Sequence, residues 1–102
     1  MIEVKEGLGC VCALQFERVT GAGAITVTSP ERRIVDSNRA LIGGYDWAAA
    51  TWNASTAQLL YIFDSTLTGL TAVATYYVQL RGVANGVRRG GEIRVDVINW
   101  GP

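Results

Sequence analysis

The dipeptide Asn85-Gly86 lies between two runs rich in β-branched and aromatic residues, and it predicts a tight β-hairpin. If these two residues form the loop, Ala84 faces Val87 and the pairing can be counted back along both runs. The count places Val78 opposite Ile93, Tyr76 opposite Val95, Tyr77 opposite Arg94, and Gln79 opposite Glu92. Apolar pairs then lie on one face of the hairpin, and polar or amphipathic pairs lie on the other. A register shifted by one residue would place apolar and polar side chains on the same face.

Turn-forming residues recur about every ten positions along the rest of the chain, which is typical of a β-sandwich or a small barrel. The segments predicted to form strands are 2–6, 11–19, 24–28, 33–35, 40–47, 58–63, 74–84 and 91–98. Ser29-Pro30 is predicted to stop the third of these, and Gly43-Gly44 to bend the fifth. We therefore expect one domain over residues 1–102, an all-β antiparallel sandwich of about seven strands, with a small β-barrel as the alternative.

Charge in this chain is sparse and balanced. Nine basic and nine acidic residues give a formal net charge of zero, and 49% of the residues are apolar. A chain without a basic excess has little counterion release to gain on DNA or RNA, so nucleic acid is disfavoured as a partner. A neutral, apolar small domain tends to associate, often with itself, so we expect a homo-oligomer.

The inventory of reactive groups is thin. The chain has no histidine, which excludes Ser-His-Asp and Cys-His pairs and histidine metal ligands. Cys10 and Cys12 point to the same face of the predicted strand and are read as small buried side chains; as half of a metal site they would need ligands from another subunit. Asp46 and Asp64 are read as turn residues rather than as an acid–base pair. We expect no catalytic residue, no cofactor, no metal and no enzymatic activity.

Two further expectations concern localisation. No apolar run reaches the roughly 18 residues that cross a membrane. The start of the chain, residues 1–6, is acidic where a secretory signal would be basic. We expect no signal peptide and no membrane association.

The stretch 67–78 resembles the corner before the penultimate strand of immunoglobulin-like domains. Ala74, Tyr76 and Tyr77 match that pattern, while Val78 stands where a disulfide cysteine would be and Ala72 where an acidic residue is expected. The resemblance implies an immunoglobulin-like sandwich. It also implies that the hydroxyl of Tyr76 forms a hydrogen bond back to the turn, as in a tyrosine corner.

Roughly the last 45 residues resemble small bacteriophage structural proteins, such as baseplate upper-protein N-terminal domains and tail or head-decoration sandwiches. The segments that carry the resemblance are 61–63, 74–80, Gly86 and 92–97. It implies a structural role in a virion, with other virion proteins as partners. Such a chain would be made in the host cytoplasm and then incorporated into the particle.

The candidate interface residues are aromatic side chains and arginines. They are Trp47, Trp52, Trp100, Arg88 and Arg89. Tryptophan and arginine are enriched at protein–protein contacts, and arginine presents a planar fork to carboxylates. We therefore expect a non-enzymatic structural subunit that assembles through protein–protein contacts. The alternative is a carbohydrate-binding module in which Trp47 and Trp52 stack on sugar rings.

Overall fold

The structure, a computed structural model, describes residues 2–5, 7–16, 26–84 and 86–98. These residues form eight strands and no helix. The strands are β1 (Ile2–Lys5), β2 (Gly9–Gln15), β3 (Val27–Asp36), β4 (Ala48–Ala49), β5 (Thr51–Asn53), β6 (Gln58–Asp64), β7 (Thr75–Ala84) and β8 (Val87–Ile98). The prediction of an all-β sandwich is confirmed.

The strands form two sheets that pack face to face. One sheet has five strands in the order β1-β8-β7-β3-β4, and the other has three in the order β2-β6-β5. Strand β1 runs parallel to β8, and every other pair is antiparallel. The orders β8-β7-β3 and β2-β6-β5 are those of strands G-F-C and B-E-D in immunoglobulin domains.

The hairpin of β7 and β8 has the predicted register. Ala84 faces Val87, and the four pairs counted back from the turn are all present. Gly86 has a φ of 79°, a left-handed conformation that a tight turn requires and that glycine adopts without a steric penalty. Asn85, the other residue of the predicted loop, lies outside the described residues.

Strand β3 corrects the prediction that Ser29-Pro30 ends a strand. The segments predicted as 24–28 and 33–35 are one strand from Val27 onward, and residues 24 and 25 lie outside the described residues. The register against β7 shifts between Thr28 and Glu31, and Ser29 has a φ of 51°. A β-bulge therefore absorbs the proline, which cannot donate to the ladder, and the strand continues.

The segment 40–50 also departs from the prediction of a strand over 40–47. It follows the edge of β3 that faces away from β7, with a single bridge between Leu41 and Val35 before the short β4. The amide of Ile34 donates to the Tyr45 carbonyl at 3.0 Å, and that of Ala50 to the Pro30 carbonyl at 2.9 Å. The segment bends at Gly43-Gly44 and covers this edge before the chain crosses to β5 in the other sheet.

The core lies between the sheets. Alternate residues of β7 are buried along its whole length, and they pack with residues of β2, β6 and β8. The fully buried side chains at the centre are Ile34, Leu59, Phe63, Leu70, Val78, Leu80 and Val95.

The hydroxyl of Tyr76 donates to the Ala72 carbonyl at 3.0 Å, which is the bond that the tyrosine-corner resemblance implied. The Tyr76 ring lies 5.5 Å from that of Phe63, so this residue joins the turn to the core.

We expect Tyr76→Phe to lower the free energy of unfolding by about 0.5–1.5 kcal/mol, because it removes one hydrogen bond and keeps the ring. Denaturant unfolding followed by tryptophan fluorescence measures the change. Tyr77→Phe, one residue further along β7, is the comparison: its hydroxyl lies on the outer face beside the exposed Arg39, so its loss should lower the free energy of unfolding by less. If the Tyr76 variant were no less stable than the wild type, the corner would not contribute to stability.

Candidate functional site

The outer face of the five-stranded sheet is dense in charge. Side chains that alternate with the core residues of β3, β7 and β8 point to it. Ion pairs on this face join Arg81 to Glu31 at 3.0 Å, Arg94 to Asp96 at 3.0 Å, and Arg39, from the turn after β3, to Glu92 at 2.7 Å. These groups compensate one another across the sheet.

Trp47 joins this charged face from the segment beside β3. The Cζ atom of Arg81 lies 3.6 Å from the centre of its ring, and that of Arg33 lies 4.8 Å away. Arg33 also donates to the side chain of Gln79 at 2.8 Å. Such cation–π contacts contribute about 0.5–1 kcal/mol each at exposed sites. The indole is therefore engaged by the chain's own arginines.

The charged groups form one connected system. Gln79 donates to Glu92 at 3.0 Å, and Arg39, which pairs with the same carboxylate, lies 4.2 Å over the ring of Tyr77. Arg94, which faces Tyr77 in the register, donates to Asp96. We call this system the arginine network; its members are Glu31, Arg33, Arg39, Trp47, Tyr77, Gln79, Arg81, Glu92, Arg94 and Asp96.

The outer face of the three-stranded sheet has the opposite character. Val11 faces Ile62 across β2 and β6, and Ala13, Leu60 and Thr51 form the next row across all three strands. Val11 is 57% exposed and Ile62 is 66% exposed. We call these five residues the apolar face. Among the described residues, the amide side chains of Gln15, Gln58 and Asn53 lie at one end of this face and the carboxylate of Asp64 at the other. This sheet therefore leaves apolar side chains in water.

The predicted interface residues do not come together. Trp52 faces inward, where its ring packs edge-on against Phe16 at 5.5 Å between centroids. Arg88 and Arg89 are exposed in β8 near the hairpin turn. Trp100 lies outside the described residues. Trp47 lies on the outer face of the five-stranded sheet, whereas Trp52 lies between the two sheets. The two rings therefore do not form a shared platform for a sugar.

The two cysteines are free thiols on the inner face of β2. Cys12 is fully buried, and its pKa is raised to about 12. The main cause is burial, and the smaller cause is the interaction with the neighbouring Cys10 thiol. Burial also raises the pKa of Cys10. A thiol with a raised pKa is a poor nucleophile and a poor metal ligand at neutral pH, so packing accounts for both residues.

The carboxylates of Asp46 and Asp64 accept hydrogen bonds that stabilise turns. A side-chain oxygen of Asp64 accepts from the amide and the hydroxyl of Thr66 at 2.9 and 2.6 Å, and Asp46 accepts from the amide of Trp47. Among the described residues, no three His, Cys, Asp or Glu side chains come close enough to hold a metal ion. That part of the chain also contains no helix able to cross a membrane.

Sequence reasoning missed the apolar face. A signal for it was present, because residues 59–63 form an unbroken apolar run and β2 has apolar residues at consecutive positions. A strand that is apolar on both sides has a second face to cover.

Comparison of the chain with protein-family models, with curated proteins and with solved structures finds no match. The geometry of the two outer faces therefore carries the functional argument.

The arginine network predicts a loss of stability in acid. The hydrogen bond from Arg39 lowers the pKa of Glu92, and that from Arg94 lowers the pKa of Asp96. A carboxylate whose pKa is lower in the folded state stabilises the fold above its unfolded pKa, and this contribution is lost as the pH falls through the folded value. We expect the free energy of unfolding to fall between about pH 5 and about pH 3.

Denaturant unfolding of Glu92→Gln across this range tests the cause. The variant should lose less stability on acidification than the wild type, because it has no charge to lose at this position. Glu3→Gln, at an exposed carboxylate of β1, is the control. Equal pH dependence in the wild type and Glu92→Gln would contradict the assignment.

Proposed function

We propose that the chain is a non-enzymatic structural subunit of a larger assembly and that the apolar face is one of its contact surfaces. The observation that carries the proposal is the contrast between the two outer faces. Six charged side chains on the outer face of the five-stranded sheet form ion pairs with one another, whereas Val11 and Ile62 on the three-stranded sheet are more than half exposed. A contiguous apolar patch on a small domain favours a protein partner.

The dimensions of the apolar face indicate the kind of contact. Its two rows of side chains extend about 13 Å along strands that lie about 4.8 Å apart, so the face presents about 150–200 Å². A stable two-component interface buries about 800 Å² on each partner. One such face therefore supports a weak contact, which becomes effective when many copies are held side by side in an assembly.

The thin inventory of reactive groups supports a role without catalysis. Both thiols have raised pKa values, Cys12 is fully buried and Cys10 half-buried, and the two isolated acids serve as hydrogen-bond acceptors in turns. These residues stabilise the fold and leave little for chemistry at the surface.

Sedimentation velocity over a range of concentrations tests the role of the apolar face. We expect the wild type to self-associate reversibly at about 0.1–1 mM, the range of weak contacts. Ile62→Lys should abolish association, because it places a charge at the centre of the face. Val73→Lys is the matched control, since Val73 is a 47% exposed apolar residue in the loop before β7. A wild type that stays monomeric throughout, or equal effects of both variants, would contradict the proposal.

The proposed setting is a bacteriophage virion, as a tail, baseplate or capsid-decoration protein. The support for this setting is the resemblance of residues 61–97 to small phage structural sandwiches. The genes on either side of the coding sequence provide the test. Capsid, portal or tail genes are expected there, and a neighbourhood of metabolic genes would contradict a virion role while leaving the assembly proposal in place.

A further inference from the structure

Strand β2 has one edge paired with β6 and one edge that faces away from it. The amide of Phe16 donates to the Ala57 carbonyl at 2.8 Å, and the amide of Ser65 to the Leu8 carbonyl at 3.1 Å. In an antiparallel ladder, residues that bond to the neighbour alternate with residues whose backbone groups point the other way. The even-numbered residues of β2 therefore bond to β6. The N–H and C=O groups of Gly9, Val11, Ala13 and Gln15 point to the second edge.

Within the described part of the chain, this second edge carries none of the usual protection of an edge strand. No strand in the described part of the chain pairs with it, because β2 is terminal in its sheet. β2 has seven residues and contains neither a charge nor a proline. Natural edge strands are normally short or carry charges that prevent pairing, as β1 does with Glu3 and Lys5. An open row of backbone groups on an uncharged strand is suited to accept another strand.

The five-stranded sheet extends beneath this open edge. β2 packs over β8, since a Cβ atom added to Gly91 would lie 2.9 Å from the side chain of Leu14. β1 lies outside β8 in the five-stranded sheet, so a strand added beside β2 would lie over β1. The residues of β1 that face inward there are Ile2 and Val4. Constant-type immunoglobulin domains have a strand at this position, next to strand B.

We infer that the open edge of β2 accepts an extended segment of a neighbouring subunit as a fourth strand of the smaller sheet. The inference rests on the proposed function, because it names the kind of partner that the subunit takes. Main-chain hydrogen bonds would supply affinity, and side chains at alternate positions would supply specificity. The inward side chains of the segment are apolar, since they lie against Ile2 and Val4 beside the uncharged β2.

A single segment fits better than a second copy of the whole domain. Pairing β2 with β2 of another copy would bring the second five-stranded sheet into the place that β1 already occupies. A lone strand meets no such obstacle and covers β1. The partner is therefore an arm or terminal segment of a neighbour.

Amide hydrogen exchange measured by NMR tests the edge directly. In the isolated chain, the amides of Val11 and Ala13 should exchange fast, while those of Cys12 and Leu14, which bond to β6, are protected. The probe is the capped peptide Lys-Thr-Val-Thr-Val-Thr-Val-Thr-Lys at about 1 mM, the effective concentration typical of short linkers in an assembly. We expect it to slow exchange of the edge amides by about tenfold, as for a Kd of about 0.1 mM. If Val11 and Ala13 are already protected, or if the peptide leaves them unchanged, the inference is wrong.

Two controls separate strand addition from other binding. A peptide with proline in place of its central valine cannot pair along its length, and it should give no protection. Ala13→Pro removes an edge donor and leaves the bonds to β6 in place, so it should abolish the protection of Val11. Protection that persisted in this variant would overturn the inference.

The outcome is distinguishable from failure of the proposed function. If Ile62→Lys abolishes self-association but the peptide does not protect the edge, the proposed function stands and the strand-addition site does not exist. If the peptide protects the edge in a chain that never self-associates, strand addition stands and the role of the apolar face in self-association does not.

Discussion

The pairing of β7 with two neighbours along its full length organises the rest of the structure. β7 bonds to β3 on one side and to β8 on the other, and its alternate residues are buried from Tyr76 to Ala84. Because side chains alternate strictly across a sheet, this register assigns every residue of the three strands to the core or to the outer surface. It sends Val78 and Leu80 inward, and it sends Gln79 and Arg81 to the arginine network.

The two outer faces follow from this arrangement and have different consequences. In the five-stranded sheet, most outward residues of β3, β7 and β8 are polar, and Arg81 faces Glu31 across β7 and β3. The arginine network pairs its charges within the chain. In the three-stranded sheet, β2 and β6 have apolar residues on both sides, so one set fills the core and the other remains in water. Assembly through the smaller sheet would cover apolar surface without breaking ion pairs.

The sequence was sufficient to predict the parts of the fold that depend on local signals. An Asn-Gly turn and strict alternation predicted the register of β7 and β8, and the corner pattern pointed to the bond between Tyr76 and Ala72. Ser29-Pro30 was misread as a stop, because the bulge that accommodates it depends on the pairing of β3 with β7 and with Ala50. The strand predicted over 40–47 failed for a similar reason, since the segment follows β3 through tertiary hydrogen bonds rather than a regular ladder.

The candidate site was harder to predict than the fold. Tryptophan and arginine are good general indicators of interfaces, but Trp52 packs in the interior and Trp47 is held by Arg33 and Arg81. Which side of an all-apolar strand faces the core depends on the other sheet, so the sequence could not show that Ile62 would be exposed and Phe63 buried. The open edge of β2 likewise appears only when the order of strands is known.

If copies of the chain meet through the smaller sheet, methyl NMR spectra of dilute and concentrated samples will differ at that sheet. We expect the methyl signals of Val11, Leu60 and Ile62 to shift or broaden with concentration, while those of Leu41, Val73 and Val87, which are also exposed, stay unchanged. Changes confined to Leu41, Val73 and Val87, or no change in any methyl signal at high concentration, would contradict association through the smaller sheet.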